Sequence, residues 1–134
     1  MRKIKFRGRS VNSRMWFYGY LQEYVKQYIS RLCVCSVNVK TLSEALMFEV
    51  SSNTVGQFTG MLDKNGKEIY EGDIIYDSTL PKRGAVSWIE GAGFNYEARV
   101  SDANGNIIGE VIGNIHENPE LLEDKYGYYT PNNH

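Results

Sequence analysis

Gln57-Phe58-Thr59-Gly60-Met61-Leu62-Asp63-Lys64-Asn65-Gly66-Lys67-Glu68-Ile69-Tyr70-Glu71-Gly72-Asp73-Ile74-Ile75 sets apolar, β-favouring runs around an Asn-Gly pair and resumes them after Gly-Asp. Asn-Gly is the preferred centre of a type I′ hairpin, because both middle residues of that turn need positive φ. The stretch predicts a strand over Thr54 to Thr59, a tight turn over Asp63 to Lys67, a second turn at Glu71-Gly72-Asp73 and a strand at Ile74-Ile75-Tyr76.

Downstream the same punctuation continues. Asp77 to Arg83, with Pro81, reads as a loop. Gly84 to Ile89 and Phe94 to Ala98 read as strands joined at Gly91-Ala92-Gly93. Asn104-Gly105 marks another hairpin, leading into Ile107-Ile108 and then Val111 to Ile115. Asn118 suits an N-cap and Pro119 the first helical position, which predicts a short helix over Pro119 to Glu123. The remainder, 124–134, reads as a loose tail.

Upstream, Ile4 and Phe6 alternate with Lys3, Lys5, Arg7 and Arg9, the period of a strand with cations on one face. Val11 to Arg14 reads as a turn. The next strand is apolar or aromatic on both faces, with Met15, Phe17 and Leu21 on one and Trp16, Tyr18 and Tyr20 on the other. Such a strand is covered on both sides, by the fold or by a partner. Tyr28 to Val39 also favours β structure. Thr41-Leu42-Ser43-Glu44 matches a capping box before Ala45-Leu46-Met47-Phe48 and suggests a short helix. Short strands bounded by Gly or Asn at close spacing make a small β roll or barrel.

Composition agrees with one globular domain, 1–134. A chain of 134 residues with 42% apolar and 23% charged residues buries roughly two-thirds of its unfolded surface. The basic start has no apolar run behind it, and no stretch approaches the ~20 apolar residues of a membrane span. Two cysteines make no disulfide framework, so a reducing cytoplasm is the expected compartment. The net charge of −1 hides a polarity. Residues 1–40 hold nine Lys/Arg against Glu23, and 41–134 hold six against fifteen acids.

Three stretches are similar to the YopX family of phage and prophage proteins. They are the 57–75 run quoted above, Val111-Ile112-Gly113-Asn114-Ile115-His116-Glu117-Asn118-Pro119-Glu120-Leu121-Leu122, and the opening Ile4-Lys5-Phe6-Arg7-Gly8 with Trp16 and Gly19-Tyr20. Residues 22–53 carry no stretch that aligns, and His116 stands where the family usually has an aromatic. The resemblance implies a mainly β fold with an SH3-like roll over 57–116 and N-terminal strands over 1–53 packing on it or on a partner subunit. It also implies a protein made in a bacterial host cytoplasm. It transfers no activity and no functional residues.

The residues offer little catalytic or metal-binding chemistry. Cys33 and Cys35 would share a strand face, yet a tetrahedral zinc site needs four ligands and the only histidines are His116 and His134. The Asp63 and Asp102 turns resemble calcium loops only at their start: the sixth residue is Glu68 or Ile107 and the twelfth Ile74 or Gly113. No phosphate-binding glycine loop, nucleophile elbow or paired-histidine motif is present. No catalytic residue, metal, cofactor or small-molecule ligand is therefore expected.

The candidate interaction surface is Lys3, Lys5, Arg7 and Arg9 with Trp16, Tyr18 and Tyr20. A basic strip beside aromatics grips nucleic-acid backbone and stacks bases. The plainer reading of the strip is an edge strand protected from aggregation by charge. Trp and Tyr are also enriched at subunit interfaces. The sequence thus favours a non-enzymatic protein-interaction module whose expected partner is a protein, with copies of itself in a homo-oligomer favoured. A nucleic-acid-binding module is the alternative, and an enzyme with a site formed between subunits stands third.

Overall fold

The computed structural model describes residues 4–26, 29–35 and 47–122. The protein is mainly β, with antiparallel sheets and, among the described residues, only two short 3-10 turns as helical structure. The chain divides into two compact units, Met1–Phe58 and Thr59–His134.

The first unit is an antiparallel sheet. Its strands are β1 (Phe6–Arg9), β2 (Trp16–Lys26), β3 (Ile29–Cys35), β4 (Met47–Glu49) and the start of β5 (Gly56–Leu62), in the order β4-β3-β2-β1-β5. The first strand pairs with β2 through Phe6↔Gly19 and Arg9↔Trp16, and with β5 through Phe6↔Gln57 and Arg7↔Gly56. It is therefore an interior strand, and the edge-strand reading of its charges is corrected: its backbone is already hydrogen-bonded on both sides. A Cβ at Gly8 would lie 2.7 Å from Val50 Cβ, so glycine is what lets the buried Val50 lie against β1. Phe17 stacks on Phe48 with centroids 4.2 Å apart, on the sheet face of the buried Val34.

Two expectations in this unit change. Met47–Glu49 is a strand paired with β3, because Cys33↔Glu49 and Val34↔Phe48 offer sheet partners that the local helix signal ignored. The capping box itself lies outside the described residues. Thr54 ends a 3-10 turn, Ser52–Thr54, and the strand begins at Gly56. The Thr54 hydroxyl donates to Ser51 O (2.6 Å) and accepts the Arg9 N–H (2.9 Å), competing with a ladder position.

In the second unit the rest of β5 turns into β6 (Glu68–Tyr70). A four-stranded antiparallel sheet follows in the order β10-β7-β8-β9, from β7 (Asp73–Asp77), β8 (Lys82–Ile89), β9 (Gly93–Tyr96) and β10 (Gly109–Asn114). Ile69, Ile75, Val86, Ala98 and Val100 form the core, flanked by Met61, Phe94, Tyr96 and Val111.

The Asp63 turn is a hairpin of a different kind from the one expected. Asn65 keeps negative φ, and only Gly66 is left-handed, at φ 82°. The Gly66 N–H donates to Asp63 O (3.0 Å) and the Asp63 N–H to Lys67 O (2.8 Å), a β-turn followed by a left-handed glycine. The cause is the Asp63 carboxylate, whose Oδ1 accepts the N–H groups of Asn65 (2.8 Å) and Lys67 (2.9 Å) and so fixes the loop at three residues.

Further on, Ile107 makes only a bridge to Ser101, and the strand starts at Gly109. Pro119–Leu122 is a 3-10 turn. The Asn118 side chain accepts the Asn114 N–H (3.2 Å), closing the end of β10, while its carbonyl accepts the Leu121 N–H (3.0 Å).

Candidate interaction surface

Paired residues of an antiparallel ladder share a sheet face. Arg7↔Tyr18 and Arg9↔Trp16 therefore stand together, and alternation along β2 adds Tyr20. Lys5, half-buried, precedes Arg7 by two residues and extends the same side, with its carbonyl accepting the Phe58 N–H (2.7 Å). Lys3 lies outside the described residues. The opposite face of the same strands carries Phe6, Phe17 and Leu21 and holds the Phe17–Phe48 stack. The two-sided apolar pattern of β2 thus resolves into a half-buried face carrying the Phe17–Phe48 stack, with Phe48 38% exposed, and a face presenting tyrosines.

The face is not a plain row of cations. Arg7 is only 5% exposed, and its guanidinium carbon lies 4.8 Å from the Trp16 ring centroid, a cation–π arrangement. Arg9 and Trp16 are half-buried. The outermost groups are Tyr18 and Tyr20, 46% and 41% exposed. A planar guanidinium lying on an indole stiffens both side chains and leaves the phenols beside them standing out.

Cys33 is buried in β3, opposite Gln22 and Glu49, while the Cys35 side chain lies outside the described ones. No group of three or more His, Cys, Asp or Glu among the described residues is arranged to hold a metal ion. No helix among them is long and apolar enough to cross a membrane.

Sequence reasoning missed the hydrogen-bonded aspartates of the second unit, of which Asp63 and Asp77 are buried and Asp102 is half-buried. Burial pushes the Asp63 carboxyl up, but hydrogen bonds from the Val111, Lys67 and Asn65 N–H groups outweigh it and hold the group below the usual carboxylate range. Asp77 follows the same logic. Burial raises it, and the Thr79 hydroxyl, the Arg99 guanidinium (Nε to Oδ2 2.9 Å) and the Thr79 N–H bring it down. Asp102 is lowered chiefly by the Asn106 backbone and side-chain hydrogen bonds. Carboxylates held ionised by several donors are structural acceptors, the reverse of a general acid or base tuned towards neutrality. An Asp two residues before Asn-Gly was the available signal for two of them.

An open groove of about 400 Å³ in this unit is lined by Lys82, Arg83, Glu97 and Leu122 among the described residues. None of the three lowered aspartates lines it. His116 sits in the turn after β10, its N–H donating to Asn114 Oδ1 (3.0 Å).

The sequence matches the family described as YopX protein over residues 5–123, nearly the whole chain. The chain belongs to the YopX family. The match runs through 22–53, where no motif is legible, so that segment is part of the YopX pattern. The YopX-family chain also resembles the crystal structure of protein EF1440 from Enterococcus faecalis, with a TM-score of 0.50 and 27% identity over 92% of this chain and 100% of that one. Among curated proteins no match is found.

Proposed function

We propose that this YopX-family protein is a non-enzymatic binding module of the phage or prophage accessory kind, acting in the bacterial cytoplasm through the Arg7–Trp16–Tyr18–Tyr20 face. The observation that carries this reading is the arrangement of that face. Two adjacent tyrosines stand out from a strand whose neighbouring Arg7 and Trp16 are locked against each other. Tyr and Trp are residue types that concentrate interface energy, because each brings much contact area for little lost freedom, and Arg7, 5% exposed, serves to hold Trp16 in place. The occupant is a second copy of the chain. The first unit holds nine basic against three acidic residues, net +6, and the second six against thirteen, net −7, so each copy offers both halves of a complementary contact.

Light scattering after size exclusion tests this with the full chain. The wild type runs above monomer mass at micromolar concentration, and Tyr18→Glu with Tyr20→Glu returns it to monomer with unchanged circular dichroism. A monomeric wild type at every concentration sinks the reading. Titration of fluorescent DNA and RNA in the same buffers tests the competing occupant. Affinity that rises as salt falls, by about 0.9 log units per phosphate contact for each tenfold drop in salt with duplex DNA, replaces the protein partner with a nucleic acid.

A further inference from the structure

The second unit contains the same turn twice. In Asp63-Lys64-Asn65-Gly66-Lys67 and Asp102-Ala103-Asn104-Gly105-Asn106 the Asp N–H donates to the fifth residue's carbonyl (2.8 and 2.9 Å). The glycine N–H donates to the Asp carbonyl (3.0 and 3.1 Å). In each, the Asp Oδ1 accepts the Asn N–H (2.8 and 2.9 Å) and the fifth residue's N–H (2.9 Å in both). Both glycines are left-handed, at φ 82° and 84°.

What surrounds the two turns differs. The first is fastened to β10 at several points. Asp63 Oδ2 accepts the Val111 N–H (2.9 Å), the Lys64 N–H donates to Gly109 O (3.0 Å), and Lys64 Nζ lies 3.5 Å from Glu110 Oε2. The side chain that matters most is also held: Asn65 Nδ2 donates to Glu110 Oε1 (3.2 Å). The second turn closes on itself. Asp102 Oδ2 accepts from Asn106 Nδ2 (3.2 Å), and the exposed Asn104 amide has no partner among the described residues.

This contrast has a chemical consequence, because an asparagine followed by glycine is the sequence most open to attack by its own backbone. Glycine has no Cβ to block the approach of its nitrogen to the asparagine Cγ. We propose that Asn104 is a site of spontaneous deamidation on this protein, and that Asn65, in an otherwise matching turn, is protected by Glu110 and the β10 contacts. In the step, the Gly105 amide nitrogen loses its proton and bonds to Asn104 Cγ. The bond from Cγ to the side-chain nitrogen breaks, and ammonia leaves with a succinimide ring behind. Water then opens the ring at either carbonyl, giving aspartate or isoaspartate. No oxidant, metal or enzyme is required. The product adds one negative charge to the unit that is already acidic, at an exposed turn.

Intact protein held in warm, mildly alkaline buffer and read by peptide mapping tests the proposal. The expected result is conversion at Asn104 about tenfold faster than at Asn65, the scale set by one hydrogen bond to a carboxylate near the surface. In denaturant the two rates converge, and Glu110→Ala in the folded protein speeds Asn65 towards the Asn104 rate while leaving Asn104 unchanged. Equal rates in the folded wild type overturn the proposal. So does a gap that survives unfolding, since flanking residues then cause it. A slow Asn65 in folded Glu110→Ala overturns the protective role given to Glu110.

Discussion

Asp63 shows how much one side chain can organise. It is nearly fully buried, and its two oxygens accept three backbone N–H groups, two from its own turn and one from β10. Asp63→Asn keeps the size but sets an amide donor against at least one of those N–H groups. Chemical denaturation should show a loss of about 2 kcal/mol, the cost of leaving a buried donor unmatched. The pH dependence follows from the direction of the shift. The folded-state pKa is lowered, so the contribution of Asp63 is complete above the unfolded value, about 3.9, and is lost as pH falls through the folded value. Wild-type stability should therefore decline below about pH 4, with Asp77 adding to the decline. The Asp63→Asn curve should be flatter over the same range, and a parallel curve would assign the acid sensitivity elsewhere.

Strands approach one another closely only where a side chain is missing, and Gly84 on β8 is such a place. A Cβ there would lie 2.5 Å from Glu97 Cβ, 2.7 Å from the Glu97 carbonyl carbon and 2.8 Å from Ala98 N. Because two of these atoms are backbone, no rotamer change relieves the clash, and Gly84→Ala should cost about 2–3 kcal/mol in a denaturant titration. Gly66→Ala meets no atom within 4 Å and pays only for its left-handed φ, about 1 kcal/mol. A larger loss at Gly66 would mean that conformation, and not approach, limits this unit. The pair also marks what the sequence made legible. Gly66 announced itself, because Asn-Gly between apolar runs is a local signal. Gly84 looked like any strand residue, because its reason lies thirteen residues away. The mainly β class and most of the strands between 56 and 114 were readable for the same local reason. Interior β1 and the strand Met47–Glu49 were not, since pairing partners far along the chain decide them. At the candidate surface, alternation grouped the cations of β1 and, separately, Trp16, Tyr18 and Tyr20 of β2; only the register revealed that Arg7 shares the aromatic face and is folded down onto Trp16.

Charge separates the molecule into a basic and an acidic unit, net +6 and −7, and that asymmetry determines how association should respond to salt. If a second copy is held by the attraction between unlike units, raising ionic strength must loosen it, since the screening length falls from about 10 Å at 0.1 M to about 3 Å at 1 M. If Tyr18 and Tyr20 supply the contact by apolar burial alone, salt leaves the assembly intact or tightens it. We expect the first: sedimentation velocity should show association at low salt shifting towards monomer at high salt, with the Tyr18→Glu, Tyr20→Glu chain monomeric in both. A basic-to-acidic contact also joins two different surfaces, so it repeats from copy to copy unless a ring closes. Low-salt samples should accordingly contain a series of masses or a closed ring, whereas a salt-insensitive dimer would place the tyrosines of both copies against each other and remove charge from the contact.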